Sequence, residues 1–303
     1  MFDVTIVTCK KYLLDKEGNS YINTIFLEYS LLKEALEKKG LSVQRTYWDD
    51  PDYDWSQTKV TLIRTVWDYF ERFEEFNNWM VTTATVSNLI NPLPLQQWNS
   101  HKFYLQELQK KGVRVVPTEY ISAKSTISLA KISAEREWKK MVIKPAISAA
   151  AFHTYKISEE NLSEREVLFQ ELLDTRDMLV QEFQETIVTK GEASLMVFNG
   201  KFTHAILKKA KQGDFRVQDD FGGTVHAYQP SQGEIEFAEF ANAQCPTKPV
   251  YGRVDIIWDE RGLCYLSEME FLDPEIWLRH APEAATILAE GIYSKLNSSF
   301  NGG

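Results

Sequence analysis

The sequence is poor in cysteine, in net positive charge and in long apolar runs. Its 3 cysteines among 303 residues, Cys9, Cys245 and Cys264, are odd in number and widely spaced. They support neither a disulfide framework nor a zinc knuckle, and they suit a reducing cytoplasm. With 34 Lys and Arg against 43 Asp and Glu, the net charge is −9, so a sequence-independent grip on nucleic acid is not expected. No apolar run approaches a membrane span, and "MFDVTIVTCKKY" lacks the basic leader and long apolar stretch of a signal peptide. Glycine is missing where it would be most useful. In "VIKPAISAAAFHT", residues 142–154, strand-like residues lead into Lys-Pro and small residues as in a phosphate loop, yet alanine stands where glycine is usual.

What is present is a large apolar fraction, 44% hydrophobic and 13% aromatic, enough for two or three lobes. "DVTIVTC", "LSVQRTYW" and "KVTLIRTVWDY" read as strands. "INTIFLEYSLLKEALEKKG" places Ile25, Leu32, Ala35 and Leu36 at helical spacing and stops at Gly40. This alternation predicts a small, mainly parallel α/β domain over residues 1–96, with its functional residues at the carboxyl ends of the strands, where "RTVWDY" falls. "NPLPLQQWN" carries two prolines and ends in Asn99, an N-cap candidate, and marks a boundary. A central lobe is expected over 97–180, with a helix at 163–174, and a strand-rich lobe over 181–303, with a final helix at 281–296 and a frayed tail "NSSFNGG".

Two charged constellations carry chemistry. In "LCYLSEMEF", Glu268 and Glu270 are two apart on a strand and share a face, and a turn at "DERG" would bring Asp255 beside them. Three carboxylates together suit Mg²⁺; the alternative is an exposed acidic strand face. Upstream, "ILKKAKQGDFRVQDDFGG" offers Lys208, Lys209, Arg216 and glycine-flanked amides to phosphate oxygens, or else forms a solvated hairpin. Lys144 closes a strand, a place where lysines are commonly at the surface. The five histidines form no set: His153 and His204 read as structural, and Cys264 as a small core residue.

Taken in order, "NSHKFYLQELQKKGVRVVPT", "MVIKPAISAAAFHT", "MLVQEF", "GEASLMVFNGKFTHAILKKAKQGDFRVQDDFGG" and "GRVDIIWDERGLCYLSEMEF" resemble the ATP-grasp superfamily, in its branch of ribosomal-protein glutamate ligases and glutathione synthetases. The resemblance spans about residues 95–290. It implies an α/β fold with a nucleotide held between two antiparallel sheets, and an ATP-dependent ligase that forms an acyl phosphate, then an amide or similar C–N bond, releasing ADP and phosphate. Carried onto this sequence, Lys102 and Lys144 would contact the ATP phosphates, with Ser148 in the loop. Gln181, Glu182 and Phe183 would form the adenine hinge and Glu192 the ribose-binding acid. Arg216 would face the γ-phosphate with Lys208 or Lys209 beside it. Asp255, Glu268 and Glu270 would hold two Mg²⁺ ions, or Mn²⁺ in their place, although the family's usual Glu-x-Asn is here Glu268-Met269-Glu270.

"WDY" and "EMEFLDPEIWL" are further similar to the cyclo-ligases of the cycloserine pathway, which act on an O-ureido-serine. That likeness implies a compact amino acid or related acid in the first domain, with Arg64 pairing its carboxylate and Trp67, Asp68 and Tyr69 shaping the pocket; the alternative is that the aromatics only pack. The partners are small molecules, with no nucleic acid or membrane; homodimers are common in the family. An intramolecular cyclo-ligase, an ATP-grasp kinase and a non-catalytic nucleotide-binding module are the competing readings.

Overall fold

The computed structural model describes residues 1–14, 19–148, 151–217 and 221–300, so that Ala149 and Ala150 of the alanine loop lie outside the described residues. Four parallel strands open the chain: β1 (Phe2–Thr8), β2 (Val43–Tyr47), β3 (Thr58–Ile63) and β4 (Asn88–Ile90), in the spatial order β2-β1-β3-β4. Between β1 and β2 runs α1 (Ser20–Lys38), whose first turn is capped by Asn19 accepting from the Ile22 amide at 3.0 Å. Ile22, Ile25, Leu32, Ala35 and Leu36 are its buried stripe, and Gly40, at φ +78°, ends the turn after it.

The proline segment differs from expectation. After α2 (Phe73–Thr83) and β4, residues Leu93–Ser100 form a helix, α3, rather than a linker. Pro94 falls in its first turn, where no amide partner is needed. Asn99 lies inside α3 instead of capping the next helix, α4 (Tyr104–Lys110). Its amide nitrogen donates to the Met269 carbonyl at 2.8 Å, and its oxygen accepts from the Phe271 amide at 2.7 Å. The segment at the expected boundary thus also carries a cross-tie to the far end of the chain.

The second sheet is antiparallel, in the order β5-β8-β6-β7, from β5 (Thr118–Ile121), β6 (Lys140–Pro145), β7 (Tyr155–Ser158) and β8 (Met178–Glu182). The helices α5 (Leu129–Arg136) and α6 (Leu162–Leu173) contribute Leu129, Ile132, Phe169 and Leu173 to the core it shares. After a single turn, α7 (Thr186–Thr189), the third sheet has the order β11-β10-β9-β12-β13. Its strands are β9 (Glu192–Phe198), β10 (Lys201–Lys209), β11 (Thr224–Ala227), β12 (Tyr251–Trp258) and β13 (Cys264–Glu270). Central β9 and β12 are buried at every position.

Between β11 and β12, α8 (Gln232–Ala243) starts with a reciprocal capping box of Ser231 and Glu234. The last helix, α9 (Ala284–Phe300), packs along α1 and continues through residues expected to fray from 297 onward. Among the described residues, no helix is long and apolar enough to cross a membrane.

Candidate active site

A cavity of about 480 Å³ opens where the three sheets meet. Its apolar end is formed by Val116, Val142, Phe183, Ile257 and Met269, and its other end by Tyr12, Tyr21, Trp67, Tyr69 and Phe70. Between them lie the charged groups. The turn at Asp259–Leu263 closes with the Asp259 amide donating to the Leu263 carbonyl at 2.9 Å. It sets the register that places Asp255 opposite Glu268 and Arg253 opposite Glu270.

Each carboxylate of the expected metal set already has a cation. Asp255 accepts from Ser194 Oγ at 2.5 Å and pairs with Arg253 at 2.8 Å and Lys208 at 3.2 Å. Glu268 pairs with Lys102 at 3.0 Å, and Glu270 with Arg253. Among the described residues no three His, Cys, Asp or Glu side chains stand ready to enclose a metal ion. The expected all-carboxylate cluster is therefore a network of alternating charge, because burial of so many acids requires positive partners. As donors, Glu268 and Glu270 still fit a hard divalent cation in chemistry, being carboxylates in the wall of a polar cavity.

The electrostatics follow from this arrangement. Burial alone would raise the Glu268 carboxyl, but Lys102 and Lys144 pull it below the ordinary range. Glu270 is pushed up to about 7 by burial, against Arg253 and with the repulsion of Glu268 and Asp255. Lys144 is lowered by burial and by Lys102 nearby. For Lys208, burial acts downward and is outweighed by Asp255 and Glu192, so its ammonium is reinforced.

Most of the expected nucleotide residues meet at this cavity. Lys102, Lys144, Ser148, Gln181, Glu182, Phe183, Glu192, Lys208 and Arg216 all line it. Lys102 Nζ donates to the Ser148 carbonyl at 2.5 Å, and Ser148 Oγ donates to the Pro145 carbonyl at 3.1 Å. Glu192 pairs with Lys208 at 2.5 Å. Gln181 Nε2 donates to Thr118 Oγ1 at 2.9 Å. Arg216 is held by Asp214 at 2.7 Å and lies 3.7 Å from the Phe221 ring centre. Downstream of the two undescribed alanines, Ala151 at φ +55° and His153 at φ +49° adopt the left-handed backbone that alanine was expected to forgo.

Four expectations need correction. Lys209 alternates to the opposite side of β10 from Lys208 and is exposed, as strand geometry requires of neighbours. The Glu182 and Phe183 amides are engaged by the Pro117 and Lys140 carbonyls, both at 3.0 Å, which takes these two N–H groups, though not the carbonyls, out of the expected hinge. Asp68 is turned toward Trp48, whose indole N–H donates to it at 3.1 Å, and is not in the cavity wall. Arg64 is buried behind that wall, beside the Tyr251 ring. Trp67 and Tyr69 do face the cavity.

Several wall residues escaped the sequence reading. Arg253 had a signal, since it stands two residues before Asp255 on one strand and so shares its face. Asp273 falls within "EMEFLDPEIWL", but its partners had no local signal: it accepts from the Thr65 amide at 2.6 Å and the Val66 amide at 2.5 Å, across more than 200 residues of sequence. Trp277, bulky yet at φ +44°, stands in the wall with Arg253 at 5.4 Å and Lys208 at 6.0 Å from its ring centre.

Comparison with known proteins agrees with this architecture. The family described as "D-cycloserine synthetase DcsG, N-terminal domain" matches residues 4–91. The cycloserine biosynthesis protein DcsG of Streptomyces lavendulae is 27% identical over 284 residues, covering 88% of this chain and 92% of that protein. The crystal structure of D-cycloserine synthetase DcsG superposes with a TM-score of 0.85 at 26% identity, covering 97% of this chain and 99% of the other. The ATP-grasp ligase PsnB, solved with a precursor variant, Mg and ADP, shares the fold with a TM-score of 0.65 at 12% identity, over 98% and 100% of the two chains. The chain is a homologue of D-cycloserine synthetase DcsG, and its fold is that of its structural neighbours, the ATP-grasp ligases.

Proposed function

We propose that this ligase activates the carboxylate of a small amino acid or related acid as an acyl phosphate and joins it to an amine. The observation that carries the reading is the convergence of Lys102, Lys144 and Lys208 on one cavity with half-buried Glu268 and Glu270 and buried Arg253. Phosphoryl transfer chiefly requires positioning and charge neutralisation, and such a cluster supplies both in a partly desolvated site. Adenine occupies the apolar end, read by the amide of Gln184, which makes no hydrogen bond among the described residues. Lys102 and Lys144 take the phosphates, Glu192 the ribose, and Arg216 leaves Asp214 to meet the γ-phosphate.

Glu268 and Glu270, with Asp255 behind them, would hold Mg²⁺, one ion or two. The chemistry such an ion would supply there is neutralisation of charge on the transferring phosphoryl group. A substrate carboxylate oxygen attacks the γ-phosphorus and ADP leaves. The amine nitrogen then attacks the acyl carbon, loses its proton, and phosphate departs. Arg253 and Lys208 lie where they stabilise the developing negative charge, while Trp67 and Tyr69 shape the substrate end. The likeness to a cycloserine protein along most of both chains favours a second form of the same chemistry, in which carboxylate and amine belong to one molecule and a ring closes.

An isotope experiment tests the intermediate. Heavy oxygen placed in the substrate carboxylate should appear in the released phosphate, one atom per turnover. Phosphate free of label would overturn the acyl-phosphate route.

A further inference from the structure

We propose that Arg45 and Arg64 together bind a small monovalent anion of chloride size, in a second cavity between α1 and the first sheet. This cavity has a volume of about 20 Å³ and is lined by both arginines, Glu28, Tyr29, Thr65 and Ile276 among others. That is room for a single water-sized or slightly larger species.

Neither arginine has an acidic partner within 4.0 Å among the described residues. Arg64 is only 8% exposed, and its buried Nη1 has no hydrogen-bond acceptor. The nearby Asp273 directs its oxygens to the Thr65 and Val66 amides. Arg45 donates through Nη2 to the Tyr12 carbonyl at 2.8 Å and stacks 4.2 Å from the Tyr29 ring centre, leaving Nε and Nη1 buried without acceptors. Glu28, the one acid among these wall residues, already accepts from the Leu278 amide at 2.7 Å, the Arg279 amide at 2.9 Å and Arg279 Nη1 at 3.0 Å.

Two arginines therefore line one small space and between them leave three buried donor atoms without acceptors. Each unmet buried donor costs on the order of 1–3 kcal/mol, more for a charged group. A lysine could relieve such a site by losing its proton, but arginine keeps its charge. A water would meet the donors without offsetting the charge; a small anion does both. The volume rules out a nucleotide or an amino acid. The site is separate from the large cavity and one residue behind it, since Thr65, next to Arg64, holds Asp273 in the cavity wall.

The test uses the full chain without ATP. Melting temperature is measured in sodium chloride, sodium bromide and sodium gluconate at equal ionic strength, and a crystal is soaked in bromide. The expected result is a saturable rise of a few degrees in chloride and bromide over gluconate, lost in Arg64→Met or Arg45→Met. An anomalous bromide peak is expected within hydrogen-bonding distance of both arginines. The crystal decides the matter even where a variant fails to fold: a water at that position with no anomalous signal overturns the proposal.

Discussion

At the scale of single residues, Arg253 is the side chain on which the site depends most. It neutralises Asp255 and Glu270 together, and its removal leaves a buried and a half-buried carboxylate undercompensated. Arg253→Ala should lose about 3–5 kcal/mol in urea unfolding, whereas Arg253→Lys should retain most stability and lose turnover, because a point charge cannot serve both acids bidentately. Asp273 gives a pH signature. Burial pushes it up to about 6, so the folded state holds a proton that the unfolded chain releases at lower pH. Its contribution to stability is present at low pH and lost as pH rises from about 4 to about 6. Asp273→Asn should flatten the pH dependence of unfolding in that window, even though it weakens one of the two amide bonds.

At the scale of elements, strand alternation makes β10 discriminating. Lys208→Met should lower kcat roughly 10²-fold, while Lys209→Met on the outer face should leave ATP turnover near the unsubstituted level; steady-state kinetics of the pair separates them. Gly191, just before β9, sits at φ +99°, and a Cβ there would lie 2.3 Å from the Lys208 carbonyl oxygen. Gly191→Ala should cost about 1–3 kcal/mol and, by shifting Lys208, weaken ATP binding as well, measured by calorimetry. The sequence discloses this much because periodicity, hairpin register and strand faces are local. The pairing of Asp255 with Glu268 could be foreseen from a turn signal. The engagement of the hinge amides could not, since it depends on Pro117 and Lys140 in other strands. Likewise, prolines at 92 and 94 suggested a break, but in the first turn of α3 they are compatible with a helix.

At the scale of the whole molecule, three sheets from distant parts of the chain converge on one cavity, and Asn91, Asn99 and Tyr251 tie the N-terminal elements to the third sheet by buried hydrogen bonds. The residues that the ordered motifs singled out line one cavity, and most of them were legible because they sit on strands. The end at Trp67 and Tyr69 was less so: Arg64 and Asp68 lie close to them in sequence, yet the turn beyond β3, with Thr65 at φ +61°, directs them away. The most direct test of the account is a mass-resolved turnover assay with ATP, Mg²⁺ and pooled small amino acids and related acids, reading ADP and new masses together. The account predicts equal ADP and phosphate, with a product lighter than its reactants by one water, formed between two molecules or within one. Release of AMP and pyrophosphate, or a stable phosphorylated acid without any joined product, would contradict it.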